Sequence, residues 1–146
     1  MPIGSVVLTP GSAYDVPGAI VLTGEHTPDE HTPDEHWTAR TALAVAAAAP
    51  VAPVLLVLSG PAAVHAPHLG FAQRSARRSV GGYVLVDPVL PRPGAVSDWP
   101  DAPVTVVITP AADDDTRAAA LGARLRGWEV LEGDPSDLIA AVAARP

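Results

Sequence analysis

The sequence predicts an α/β fold built on a mostly parallel, open sheet of five to six strands with helices on both faces. Three observations carry that prediction. Short apolar runs rich in β-branched residues recur along the chain with almost no polar alternation, the pattern of strands buried on both faces. Ala-rich or Arg-bearing stretches of helical length separate most of them. Pro and Gly fall between the apolar runs and punctuate them rather than forming a repeat of their own.

The strands are read at residues 6–9, 19–22, 54–58, 83–86 and 104–108, with a weaker sixth at 128–131. Helices are read at 33–49, ending before Pro50, at 69–79, at 116–126, stopped by Gly127, and at 136–144. Two connections break the alternation. Residues 11–18 are too few for an ordinary parallel crossover, so the first strand is expected to run antiparallel to its neighbour or to be exchanged with another subunit. Residues 88–103 are rich in Pro and have no helical period, which predicts a long, stiff loop.

At 146 residues the chain is one domain, 1–146, with a core of Ala, Val, Leu and Ile, since aromatic residues make up only 4%. A net charge of −7 repels phosphate backbones and argues against a nucleic-acid partner. No cysteine is present, which removes disulfides, thiol nucleophiles and thiolate metal ligands. Every basic residue is arginine, which with the abundant Ala, Pro, Gly and Val reads as a GC-rich bacterial genome. No apolar run reaches a membrane span and Met1–Gly4 carries no basic leader, so a cytoplasmic protein with no membrane partner is expected.

The stretch EHTPDEHTPDEHW, from Glu25 to Trp37, repeats one phrase and gathers His26, His31 and His36. Thr-Pro-Asp-Glu is a helix-start phrase: Thr32 suits the N-cap, Pro33 the first helical position, and Asp34 and Glu35 the positive end of the helix dipole. One copy is therefore read as the cap and the other as a short turn or loop, because Pro33 cannot lie inside a helix opened by the first. Histidines five apart do not share a helix face, so no metal site is assigned. No Gly-x-Gly-x-x-Gly or Walker phrase follows a strand, so no nucleotide cofactor is expected.

In an open α/β sheet, ligands bind beyond the carboxyl ends of the strands. The candidates that fall there are Tyr14 after the first strand, Thr23, Glu25 and His26 after the second, Ser59 and Gly60 after the third with His65 and His68 following, Asp87 after the fourth, and Thr109 and Asp113 after the fifth. His26, Ser59, His65, His68, Asp87 and Asp113 are the catalytic candidates. Tyr14, Thr23, Glu25, Gly60 and Trp37 are the ligand-binding ones. Each also has a structural reading: Asp87 before Pro88 as a turn former, Asp113 as an N-cap, Ser59 as a turn hydrogen bond.

Several phrases carry a resemblance: Trp37 opening a helix after a strand-end loop, APVLLV (52–57), VGGYVLVDPVLPRPG (80–94), WPDAPVTVVITPAADDD (99–115) and ARLRGWEVL (123–131). In that order the chain from Ala19 onward resembles an α/β-hydrolase, particularly the small bacterial members. The resemblance implies that APVLLV runs into the nucleophile elbow, that 99–115 ends near the triad acid, and that 123–131 leads to the triad histidine. The catalytic phrases depart from it. The elbow Gly-x-Ser-x-Gly is replaced by Leu58-Ser59-Gly60-Pro61, with Gly60 at the nucleophile position, and no histidine follows Leu131. The segment that would supply an oxyanion hole is shortened to 11–18.

The expectation is a trimmed α/β-hydrolase-like scaffold carrying a small-molecule enzyme of non-serine acid–base chemistry: cyclisation, isomerisation, elimination or hydration. The alternatives are a catalytically silent binding or scaffold protein and a residual hydrolase using Ser59. A homodimer is expected, because a sheet that has lost strands exposes an edge.

Overall fold

The computed structural model describes residues 2–23, 36–94, 96 and 98–146. Glu25, His26 and the two HTPDE phrases lie outside the described residues, so the capping role assigned to Thr32 does too. The elements are β1 (Ser5–Leu8), β2 (Ile20–Val21), α1 (Trp37–Ala48), β3 (Val54–Ser59), a 3-10 turn at Gly60–His65, α2 (Ala66–Ser75), β4 (Val80–Val86), β5 (Val104–Ile108), α3 (Asp114–Leu125), β6 (Glu129–Glu132) and α4 (Pro135–Ala143). The strands form one sheet in the order β2-β1-β3-β4-β5-β6. Every pairing is parallel.

This corrects the expectation for the first strand. β1 is neither antiparallel nor an edge: it lies between β2 and β3. The short return is possible because β2 has only two residues, paired as Val7↔Ile20 and Leu8↔Val21 at the far end of β1. The chain steps back only about 7 Å, two residues of strand rise, where a full-length parallel neighbour would need a long crossover. An internal strand is not available for exchange, so the reason for expecting a swapped dimer through β1 falls away.

Residues alternate strictly between two cores. Val7, Leu56, Leu58, Leu85 and Val106 face one way and pack on Trp37 and Val45 of α1, Ala66 and Leu69 of α2, and Ala120 and Ala123 of α3. Val6, Leu8, Leu55, Val57, Val84 and Val107 face the other way and meet Ile139 and Val142 of α4 and Val16 of the β1–β2 loop. The connections that step toward β6 cover the first face, and the single step toward β2 covers the second. One handedness of crossover is therefore kept throughout. β3 is fully buried from Val54 to Leu58, which is why its sequence shows no polar alternation.

Helix boundaries differ from the sequence reading for local reasons. α1 is Trp37–Ala48, with His36 at the N-cap and no side-chain cap, and the start read at Pro33 lies outside the described residues. The helical path after β3 begins earlier than residue 69, because Pro61 and Pro67 each stand in a first-turn position where the missing N–H costs nothing. It ends at Ser75, short of Ser79, and Arg77 has φ +60°.

Residues 88–103 form the long loop the Pro content implies, with no helix or strand among those described. The loop is pinned by Tyr83, whose hydroxyl donates to Asp101 Oδ1 at 2.7 Å, with Arg74 Nε 3.6 Å from Oδ2 of the same carboxylate. α2 approaches this point so closely that a Cβ on Gly70 would overlap the Tyr83 hydroxyl. Burial and the Asp101 carboxylate together push the Tyr83 phenol far above its ordinary range, so it stays a donor.

Gly70→Ala is expected to destabilise the fold by about 1–3 kcal/mol in urea titration, reversing the gain that Ala usually brings to a helix. Tyr83→Phe is expected to cost about 1.5–3 kcal/mol, the range for a hydrogen bond to a charged group. The double variant should lose less than the sum, because removing the hydroxyl relieves the overlap. Simple additivity would show that the two residues do not compete for the same space.

Candidate functional site

The strand order places a topological switch between β1 and β3: the chain leaves β1 toward β2 and leaves β3 toward β4. In such sheets the crevice beyond the carboxyl ends at the switch is where ligands bind. The loops that leave these two strands meet there through side chains. Ser59 Oγ, at the end of β3, shares one hydrogen bond of 2.8 Å with Ser12 Oγ and another of 2.8 Å with the Tyr14 hydroxyl.

The loop that brings Ser12 and Tyr14 into place is a succession of tight turns. Ser12 N–H donates to Thr9 O, Tyr14 N–H to Ser12 O, and Val16 N–H to Tyr14 O. Thr9 extends the β1–β3 ladder, its N–H and its hydroxyl both donating to Val57 O. Val16 is buried against the sheet, and the Asp15 N–H donates to Ser136 Oγ at the start of α4. The loop is thus fixed at both ends and in the middle, and its hydroxyls are held in place before any ligand arrives.

Three hydroxyls joined by two hydrogen bonds have three protons and use two of them internally. One O–H is left to donate outward. Ser12 is buried, so the free proton belongs to the half-buried Tyr14 or Ser59, where a partner can reach it. The Tyr14 phenol is shifted above its ordinary value. Desolvation is the main cause, the Ser59 hydrogen bond opposes it, and the negative charge of Asp87 adds to it. Tyr14 therefore keeps its proton at neutral pH and acts as a hydrogen-bond donor, not as a base for Ser59.

Asp87 follows β4 with φ +43°, a left-handed conformation uncommon for a non-glycine residue. Its carboxylate holds the end of β5, accepting from the Thr109 N–H at 2.9 Å and the Thr109 hydroxyl at 2.6 Å. These bonds occupy one acceptor position on each oxygen and leave further lone pairs. Asp87 thus links two strand ends and adds negative charge beside Tyr14.

Where the resemblance would put the nucleophile, the chain turns through Gly60, at φ +56°, and Pro61 follows at the start of the 3-10 turn. Ser59 itself is extended, at φ −128° and ψ 144°. The residue in the turn has no side chain, and the serine beside it belongs to the strand. Among the described residues its hydrogen-bond partners are two hydroxyls, neither of which withdraws a proton at neutral pH.

The remaining candidates divide. His65 ends the 3-10 turn and stacks on Trp37, ring centroids 5.3 Å apart, so the helix that follows Gly60 and the start of α1 are joined by a ring pair. Among the described residues the Trp37 indole N–H is buried without a partner, a deficit of roughly 1–3 kcal/mol. His68 is exposed on the first turn of α2, and Thr23 is exposed just past β2. Asp113 caps α3 by accepting from Thr116 N–H, which lowers its carboxyl below the usual range; it is not joined to the Ser59 cluster. Ser12 was not singled out among the candidates, and Thr109 was placed at the end of its strand without a role. A serine in a turn-rich loop and a threonine before a proline carry no distinctive pattern, and only the β1–β3 and β4–β5 pairings reveal their partners.

Among the described residues no cluster of three or more His, Asp or Glu could hold a metal ion. Compared with protein-family models, curated proteins and solved structures, the chain matches none.

The raised Tyr14 value has a consequence for stability. The folded state holds that proton more tightly than the unfolded chain, so the contribution is fully present below pH 10.0 and is lost as pH climbs through the folded value. Wild type should lose stability relative to Tyr14→Phe only above about pH 10, and the two should run parallel between about pH 6 and pH 9. Divergence near neutrality in urea melts would contradict the assignment of a protonated Tyr14.

Proposed function

We propose that the chain is a small-molecule-binding protein on a trimmed α/β-hydrolase-like sheet, taking its ligand at the carboxyl ends of β1, β3 and β4 without acyl-transfer chemistry. The observation that carries this reading is the hydroxyl cluster of Ser12, Tyr14 and Ser59 at the switch point, beside a glycine where a nucleophile would stand. The cluster offers one outward O–H and the Asp87 carboxylate offers acceptors. That pairing suits a polar ligand bearing both an acceptor oxygen, such as a carbonyl or hydroxyl, and a donor.

An acid–base enzyme is the second reading, favoured by the Trp37–His65 stack next to the turn after Gly60. Proton transfer is most efficient when the group's pKa lies near the working pH. A phenol held above its usual value is poorly placed for that, so in this reading His65 moves the proton and Tyr14 orients the substrate. A residual hydrolase would instead need Ser59 as nucleophile.

One set of experiments separates the three. Wild type and Ser59→Ala are each exposed to a fluorophosphonate probe, and the expected result is no labelling of either; labelling that disappears in Ser59→Ala would establish the hydrolase. A thermal-shift screen against polar metabolites should yield stabilising ligands whose affinity falls about tenfold in Tyr14→Phe, the loss of one good hydrogen bond. Turnover of such a ligand that vanishes in His65→Ala would establish the enzyme.

A further inference from the structure

A second cleft lies toward the opposite edge of the sheet, where the long loop passes the turn between α3 and β6. Trp128 precedes β6 and meets Trp99 edge to face, ring centroids 5.6 Å apart. The Arg126 guanidinium lies 4.9 Å from the centre of the Trp128 ring, and its Nη1 donates to the Pro91 carbonyl at 2.8 Å. With Arg92 and Pro100, these side chains line a cavity of about 220 Å³.

The charges here are not balanced. The arginine–carboxylate pairs among the described residues join Arg74 to Asp101, Arg117 to Glu132 and Arg145 to Glu129. Arg92 and Arg126 line this one cleft and have no such partner, in a chain whose net charge is −7. Arg126 is moreover half-buried, held against an indole face, and a guanidinium has five N–H donors of which the Pro91 carbonyl takes one. A carboxylate would complete it, because the planar fork of Arg matches carboxylate geometry.

The walls that are not charged are the two indoles, Pro93, Pro100, Gly94 and Val96. The volume is below the roughly 300–1,000 Å³ of sites for drug-sized ligands and above the ~150 Å³ cavity that accommodates benzene. A single ring with its carboxylate fits that interval. We infer that the cleft between Arg92, Arg126 and the Trp99–Trp128 pair binds a small planar aromatic carboxylate. The ring lies against the indoles and the carboxylate is held by the guanidiniums. This site is separate from the Ser59 crevice and does not depend on the function proposed there.

The test is a titration of the 15N-labelled protein with sodium benzoate, with neutral benzamide as the isosteric control at matched ionic strength. The indole N–H resonances of Trp99 and Trp128 should shift and saturate with benzoate while that of Trp37 stays in place. Benzamide should bind at least about tenfold more weakly, the loss of the charge-assisted pair. Arg126→Gln should abolish the response. Since Arg126 also holds Pro91, Arg92→Gln supplies the independent variant: it leaves that contact intact and should weaken benzoate several-fold. Shifts that never saturate, an equal response to benzamide, or an unchanged benzoate affinity in Arg92→Gln and Arg126→Gln alike would overturn the assignment.

Discussion

The pairing of β1 with β3 is the contact on which the rest of this protein depends. Val6, Val7 and Leu8 lie in register with Leu55, Leu56 and Val57, and these side chains are buried on both faces of the sheet. Burial on two faces obliges each strand to be covered twice, so the chain must send connections over both sides and return to the same edge each time. The loops leaving β1 and β3 then emerge side by side. A serine at the end of one strand meets a serine and a tyrosine beyond the end of the other, at a separation in sequence of more than forty residues.

Among the described residues that junction gathers three hydroxyls and a carboxylate, with no base hydrogen-bonded to Ser59. A nucleophile needs a side chain at the turn and a base to take its proton. Here the turn is Gly60, and the groups hydrogen-bonded to the serine are another serine and a phenol whose burial keeps it protonated. The same desolvation that removes Tyr14 as a base strengthens it as a donor, since a hydrogen bond in a low-dielectric setting is electrostatically stronger than one in water. Asp87 contributes in two ways with one carboxylate: it fastens the end of β5 through Thr109 and raises the local negative potential.

The two edges of the sheet differ in charge and chemistry. At the carboxyl edge the described cluster consists of hydroxyls and a carboxylate. Toward the amino edge two arginines without carboxylate partners stand beside two indoles. The Pro-rich loop connects these regions, leaving β4 beside Asp87 and arriving at β5 past Trp99 and Asp101. The Tyr83–Asp101 hydrogen bond holds its far end, so the cleft inherits its shape from a part-buried contact between the loop and a tyrosine of the first core.

The fold class, the strands, the four helices and the long loop follow from the sequence alone, because an unbroken apolar run such as Val54–Leu58 has no other stable home than a sheet covered on both sides. The turn after β3 was legible for the same local reason: Gly60 and Pro61 are adjacent in the chain. The direction of β1 was not. A connection length bounds how far the chain can return but does not say how long the partner strand is, and β2 proved to be two residues. Nor could the sequence show that Ser12 belongs with Ser59, that Thr109 belongs with Asp87, or that Arg92 and Arg126 share a cleft. Those are contacts between segments distant in sequence, brought together only when the sheet sets their register, and no local pattern in the chain encodes a distance across space.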